Sequence, residues 1–318
     1  MQTSDIEPTT VTDASLKQLV RDAYGAIAER GPADQIRNAT NACGCGPDCC
    51  SSPEDSARLM ADDYAELAGY VADADLGLGC GLPTQFAQIK PGDTVIDLGS
   101  GAGNDCFVAR HETGPTGKVI GIDFTEPMID RARQNADARG FNNVEFRFGD
   151  IETMPVANNT ADVIVSNCVL NLVPNKPNVI AEIFRVLKPG GHFSISDIVL
   201  LRDLPANLKR PAELYSGCIT GAIHRDEYLD LIAKTGFVNV IVQKEKPIVL
   251  PDTFLAEYLT GDEITSYRQV STGIVSVTVY AEKPADNQST TIEKPVVQLV
   301  ESGNIGAEEA CCAPGCCS

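Results

Sequence analysis

Three cysteines stand where a thiol has chemistry to do. Cys80 lies in GLGCGLPT, Cys168 in SNCVLNL directly after the apolar run DVIV, and Cys218 in SGCITGA. Glycines on both sides of Cys80, and Gly217 before Cys218, free the backbone to carry a thiol close to a partner. A short β-branched run reads as a buried strand, so Cys168 falls where that strand ends. Thiolates favour soft, thiophilic centres over hard ones. Cysteine also fills core volume as a small hydrophobe, and Cys106, next to Phe107 and Val108, reads as packing of that kind.

A second group of residues is acidic and glycine-rich. In VIDLGSGAGND, Asp97 precedes Gly99, Gly101 and Gly103. The spacing is G-x-G-x-G, not the G-x-G-x-x-G of the dinucleotide fingerprint. A carboxylate at the loop would repel a pyrophosphate and suits a ligand that carries an ammonium group. Asp123, in GIDF, follows the loop by about 20 residues, where a carboxylate can hold ribose hydroxyls. Asp150, in FGDIETMP, ends a further strand and is placed to meet an adenine.

Elements of alternating type must hold these groups. The patterns predict strands at DTVIDLG, KVIGIDF, VEFRFGD, DVIVSN and HFSISDIVL. Helical patterns such as PMIDRARQNADARG and NKPNVIAEIFRVLKPGG lie between them, and helix and strand alternate from SPEDSARLMADDYAELAGY onward. Such alternation indicates crossover units on a parallel sheet. In open sheets of this kind ligands lie outside the carboxyl ends of the strands, which is where Asp97, Asp123, Asp150, Asn167 and Cys168 fall. Ahead of this core, residues 1–57 comprise the helix DASLKQLVRDAYGAIAER, opened by an Asp or Ser cap, and a Cys-rich loop. The core spans 58–200. Residues 201–284 hold the helix RDEYLDLIAKTGF and the alternating strand GIVSVTVYAEKP, which can return to the sheet. Residues 285–318 read as a mobile Cys-rich tail.

The chain has 318 residues, 43% of them hydrophobic, enough for one sizeable α/β domain and a smaller companion. Its formal charge of -19 repels phosphate backbones and anionic lipid, which argues against nucleic acid as a partner. No apolar run of about 18 residues is present for a membrane span, and the start lacks the basic and apolar regions of a secretory signal. The expected location is the cytoplasm, where twelve cysteines indicate metal binding or catalysis and not a disulfide framework. The three histidines, His111, His192 and His224, read as surface or packing residues.

The ordered set DLGSGAG, GIDF, GDIETMP, DVIVSN and LKPGG resembles the seven-strand, Rossmann-like S-adenosylmethionine methyltransferases. That resemblance implies that Asp97 and the glycine loop hold the methionine part of S-adenosylmethionine, Asp123 the ribose, and Asp150 with Ile151 the adenine. Asn167 and Cys168 then face the methyl acceptor. Three thiols at that place point to a soft acceptor. Zinc is a rival, but Cys80, Cys168 and Cys218 lack the close pairing of structural zinc sites. Three sulfurs fit a trigonal pyramid with a lone pair free at its apex, the geometry of trivalent arsenic.

GLGCGLPT, DLGSGAGNDCF, SNCVLNL and SGCITGA, in that order, resemble the arsenite methyltransferases. The resemblance implies that Cys80, Cys168 and Cys218 bind As(III) as substrate and that the function is arsenic detoxification. It also implies that Cys43 pairs with Cys80 in a disulfide during turnover, reset by glutathione or thioredoxin. Cys45, Cys49 and Cys50 depart from the simpler family pattern, and Cys45 could share the role of Cys43. The terminal pairs Cys311, Cys312 and Cys316, Cys317 are read as arsenic collectors or as incidental thiols of a solvated tail. The reacting thiols are expected to be accessible and partly ionised. Two other readings remain: a methyltransferase of a small carbon or nitrogen acceptor such as a quinone, and a non-catalytic, thiol-rich binder of soft metals.

Overall fold

A computed structural model describes residues 12–29, 62–208, 218–219, 221–270 and 273–285. The roles expected of Cys43, Cys45, Cys49, Cys50, Cys311, Cys312, Cys316 and Cys317, and of the tail, lie outside the described residues.

Helix α1 (Asp13–Glu29) precedes the sheet. Its cap is Thr12, not the expected Asp13 or Ser15: Thr12 Oγ1 accepts the Ser15 N–H at 3.2 Å, which satisfies one of the free donors of the first turn. Within the segment expected to be helical, residues 62–70 instead form turns. There the Tyr64 ring is drawn inward and its hydroxyl donates to Asp105 Oδ2 at 2.8 Å, a tertiary bond that overrides local helix propensity.

The core runs β1 (Thr94–Leu98), α2 (Asn104–Thr113), β2 (Lys118–Asp123), α3 (Glu126–Ala138), β3 (Val144–Phe148), β4 (Ala161–Asn167), α4 (Lys176–Val186) and β5 (Leu187–Leu200). Helix α5 (Arg225–Thr235), strand β6 (Val238–Pro247), helix α6 (Gly261–Gln269) and strand β7 (Ile274–Glu282) follow. The seven strands form one sheet in the order β3-β2-β1-β4-β5-β7-β6. β1 to β5 are parallel, and β7 runs antiparallel to both β5 and β6.

The central strands are near-continuous apolar runs because both sheet faces are covered. Alternation sends Ile96 and Leu98 to one face, packed with Val179, Ile183 and Phe193, and Val95 to the other, packed with Cys106, Phe107 and Met128. Asp97 shares the face of Val95 and so lies under α2.

Two strands differ from the sequence reading. β5 begins five residues before HFSISDIVL: Leu187 pairs with Ala161, and a register shift follows, so the LKPGG segment joins the sheet through an irregularity. β6 was not among the strands predicted. Its second half, Lys244 to Pro247, is charged and ends in proline, a composition that guards an edge strand against further pairing and hides its strand character. Lys244 and Lys246 of that edge pair with Asp62 at 2.9 and 2.5 Å.

A third apolar cluster lies beyond the carboxyl ends of the strands. It joins Cys80, Cys168 and Cys218 to Val20, Leu172, Ile198, Leu208, Leu250 and Ile274. Among the described residues no helix is long and apolar enough to cross a membrane.

Candidate functional site

The chain visits β1, β2 and β3 on one side and then crosses back to β4, so the ends of β1 and β4 flank the point where strand order reverses. Ligands of open α/β sheets bind at that point. A pocket enclosing about 1150 Å³ of open space, mouth included, lies there.

One half of the pocket is acidic. Asp97 and Asp123 are almost wholly buried, Asp105 lies beside them, and all three line the wall with Gly99, Ser100 and Gly101. Burial, followed by the neighbouring Asp105, pushes the Asp97 carboxyl well above the ordinary range. Burial also pushes Asp105 up to about 6, against hydrogen bonds from Tyr64, Asn167 and Thr84. Asp123 is raised by burial and held back by backbone donors: Thr125 N–H reaches Oδ1 at 2.8 Å and Gly101 N–H reaches Oδ2 at 3.0 Å. Three buried carboxylates with few cations beside them favour a positively charged ligand. Ser100 Oγ and Asn104 Oδ1 are buried without a protein partner, two further polar atoms turned to this region. A β-carbon on Gly99 would lie 2.4 Å from Val169, so the loop can fold against the residue after Cys168 only as glycine. These features fit S-adenosylmethionine, whose ammonium and sulfonium are cationic.

Asp150 is the outermost acid. Its Oδ1 accepts the Glu152 N–H at 2.9 Å, and its Oδ2 pairs with Lys17 Nζ of α1 at 2.6 Å. Lys17 also pairs with Glu152. Ile151 beside it is buried and lines the pocket.

The other half is sulfur. Cys168 follows β4 directly, and Cys168 and Cys218 both line the pocket wall. Cys80 is wholly enclosed behind them, with Gly79 forming the wall in front. A β-carbon on Gly79 would come within 2.7 Å of Asn167, and one on Gly81 within 2.5 Å of Ser196. The glycines flanking Cys80 therefore seat this loop on the ends of β4 and β5. Asn167 fastens it, taking the Cys80 N–H on Oδ1 at 3.0 Å and donating through Nδ2 to Gly81 O at 2.8 Å.

Cys168 and Cys218 both hold left-handed backbone, φ +62° and +64°. This region costs an L-residue about 1–2 kcal/mol, which is the usual reason for glycine there. Cys218 Sγ donates to Cys168 O at 2.8 Å. The Cys168 thiol is pushed well above its ordinary value, first by hydrogen bonding with Cys218 and Cys80 and then by burial. Burial likewise raises Cys80. The expectation of accessible, partly ionised thiols is thus corrected for Cys80 and Cys168: they are buried and protonated, because they pack among apolar side chains and hydrogen-bond with one another. Among the described residues no three His, Cys, Asp or Glu side chains are arranged to hold a metal ion. The sulfurs are neighbours, with Cys168 between the other two, and have not closed on a common point.

Cys106 is buried as expected of a packing residue, and it also donates from Sγ to Asp97 Oδ2 at 3.2 Å. The sequence reading missed Asp105, Tyr64, Lys17 and Tyr24. Each reaches the site through a contact distant in sequence, and only the acidic first turn of α2 offered a local signal.

The residues 89–236 match a family model described as a methyltransferase domain. An arsenite methyltransferase of Halobacterium salinarum is 38% identical over 272 residues, covering 85% of this chain and 67% of that protein. An arsenite methyltransferase of Aquipseudomonas alcaligenes is 39% identical over 58% of this chain, which spans about half (54%) of that relative's length. Among solved structures, an arsenic(III) S-adenosylmethionine methyltransferase from Chlamydomonas reinhardtii superposes with a TM-score of 0.56 at 27% identity, covering 74% of this chain and 75% of its own.

Proposed function

Since the chain belongs to the arsenite methyltransferase family, we propose that it transfers a methyl group from S-adenosylmethionine to trivalent arsenic held by Cys80, Cys168 and Cys218, as a step in arsenic detoxification. One observation carries this reading: Cys168, at the end of β4, touches both other thiols and shares a pocket with Asp97, Gly99 and Asp123.

The buried state of the thiols suits the substrate. Arsenite near neutral pH is the uncharged trihydroxide, and each Cys S–H can pass its proton to a departing hydroxyl. An As–S bond then forms, an As–O bond breaks and one water leaves. Three such exchanges give a neutral tris-thiolate without placing net charge in the apolar cluster, where an unpaired charge would be costly. Seating the arsenic requires the three sulfurs to turn inward on a common centre.

Asp97, Asp123, Asp150 and Ile151 would hold S-adenosylmethionine, which would supply an electrophilic methyl on a sulfonium and leave as S-adenosylhomocysteine when its S–CH3 bond breaks. The cage directs the arsenic lone pair toward that methyl, and positioning contributes most of the acceleration. The new As–C bond uses the arsenic pair, so As(III) becomes As(V) and must regain two electrons. A thiol pair supplies them as it closes to a disulfide, for which Cys43 with Cys80 is the proposed pair. Glutathione or thioredoxin restores the dithiol by exchange. The chain is proposed to act in the cytoplasm without nucleic acid or membrane partners.

A single-turnover reaction with arsenite, labelled S-adenosylmethionine and glutathione tests the proposal. Cys168→Ser and Cys218→Ser should each abolish methylarsenic formation while cofactor affinity stays near wild type. Cys80→Ser should do the same or stop turnover after the first methylation. Methylarsenic formed by these variants at the wild-type rate would overturn the three-thiol site, and a wild type that forms none would favour a carbon or nitrogen acceptor instead.

A further inference from the structure

Helix α1 touches both halves of the pocket. Lys17, Val20 and Tyr24, at i, i+3 and i+7, share one face and all line the wall. Seven residues at 1.5 Å rise span about 10 Å, enough to reach from the adenine-side acid to the thiols. At one end Lys17 pairs with Asp150 and Glu152. In the middle Val20, 1% exposed, packs in the cluster of Cys80, Cys168 and Cys218. At the far end Tyr24 packs against that cluster and also against the one containing Ala102 and Met128 beneath the glycine loop. Its hydroxyl hydrogen-bonds with the Cys218 thiol, and Cys168 and Asp123 are near enough to act on it electrostatically. Because the Cys218 S–H is already directed to Cys168 O, the phenol is the donor in this bond and the sulfur the acceptor.

We propose that Tyr24 is a positioning residue for the acceptor sulfur Cys218, and that Lys17 on the same helix makes arsenic and cofactor binding reinforce each other. The inference rests on the functional reading above. When Cys218 passes its proton to a leaving hydroxyl, the phenol O–H remains on sulfur and holds it toward the arsenic. The same helix, with Lys17 on Asp150, covers the adenine side, so ordering of α1 by either ligand lowers the cost of binding the other. Such coupling is reciprocal by thermodynamic necessity.

The test measures S-adenosylhomocysteine affinity of the full chain by calorimetry, with and without saturating arsenite, in wild type, Tyr24→Phe and Lys17→Met. Arsenite should tighten binding to the wild type about tenfold, within the usual range for coupled sites. Tyr24→Phe should lose this gain while its affinity without arsenite stays within about twofold of wild type, as for a change that spares the cofactor contacts. Lys17→Met should lose the gain as well. In single-turnover methylation at saturating substrates, Tyr24→Phe should be slower by about fivefold, the value of one net hydrogen bond of ~1 kcal/mol. Circular dichroism of the near-isosteric Phe variant checks that it folds. A wild type that methylates arsenic while Tyr24→Phe equals it in coupling and rate overturns the proposal alone. A wild type that forms no methylarsenic overturns the functional reading, and this inference with it.

Discussion

The left-handed backbone at Cys168 and Cys218 can be weighed by substitution. At an ordinary buried position, replacing Ala by Gly loses a methyl worth about 0.8 kcal/mol and adds chain entropy worth about 0.5–1 kcal/mol. The Gly variant is then less stable than the Ala variant by roughly 1.5 kcal/mol. At positions 168 and 218, with φ of +62° and +64°, glycine also relieves strain of about 1–2 kcal/mol, which nearly cancels that deficit. Cys80 lies outside the left-handed region and serves as the control. Urea unfolding of the Ala and Gly variants at the three positions should give a gap of roughly 1.5 kcal/mol at 80 and near zero at 168 and 218. With an unfolding entropy of about 2.1 cal/mol/K per residue, a chain of 318 residues shifts by roughly 1.5 °C of melting temperature per kcal/mol. Equal gaps at all three positions would refute the claim that the backbone is strained to aim two of the thiols.

Two further outcomes concern the acidic half. Asp97→Asn should weaken S-adenosylhomocysteine by about tenfold or more, as expected for a charge-assisted hydrogen bond of ~1.5–3 kcal/mol, and unchanged affinity by calorimetry would remove Asp97 from the ammonium site. Burial raises both Asp105, to about 6, and Asp197, a wholly enclosed residue of β5 outside the pocket, to about 7, above the values of an unfolded chain, so their contribution to stability is present below about pH 4 and is lost as pH rises through 6 to 7. A cationic ligand favours ionised Asp97 and Asp105, so S-adenosylhomocysteine should raise the melting temperature more at pH 8 than at pH 5.5, and a pH-independent gain contradicts this.

The parallel core was legible because its strands are unbroken apolar runs bounded by acids and glycines, and both the Asp97 loop and Asp123 fall at strand ends as that pattern requires. The thiols were legible as well: glycines around Cys80, a strand before Cys168 and a glycine before Cys218 are local signals. The edge strand β6 was not, since Gln243, Lys244, Glu245 and Lys246 break its alternation to protect the edge. Nor could the protonated state of Cys80 and Cys168 be read, because it depends on the burial and mutual hydrogen bonding that tertiary packing creates. Lys17 and Tyr24 belong to an amphipathic helix whose sequence shows only that one face is covered. The Lys17 and Asp150 pairing spans 133 positions, beyond any spacing rule.

The central claim is that three sulfurs hold one arsenic atom beside the cofactor site. Arsenic X-ray absorption on the full chain, with Cys43, Cys45, Cys49, Cys50, Cys311, Cys312, Cys316 and Cys317 changed to serine and one equivalent of arsenite added, measures this most directly. Three sulfur neighbours per arsenic and no oxygen are predicted, falling to two sulfurs when Cys168 is also replaced. Arsenic still coordinated by oxygen, or a sulfur count indifferent to Cys168, would contradict the account.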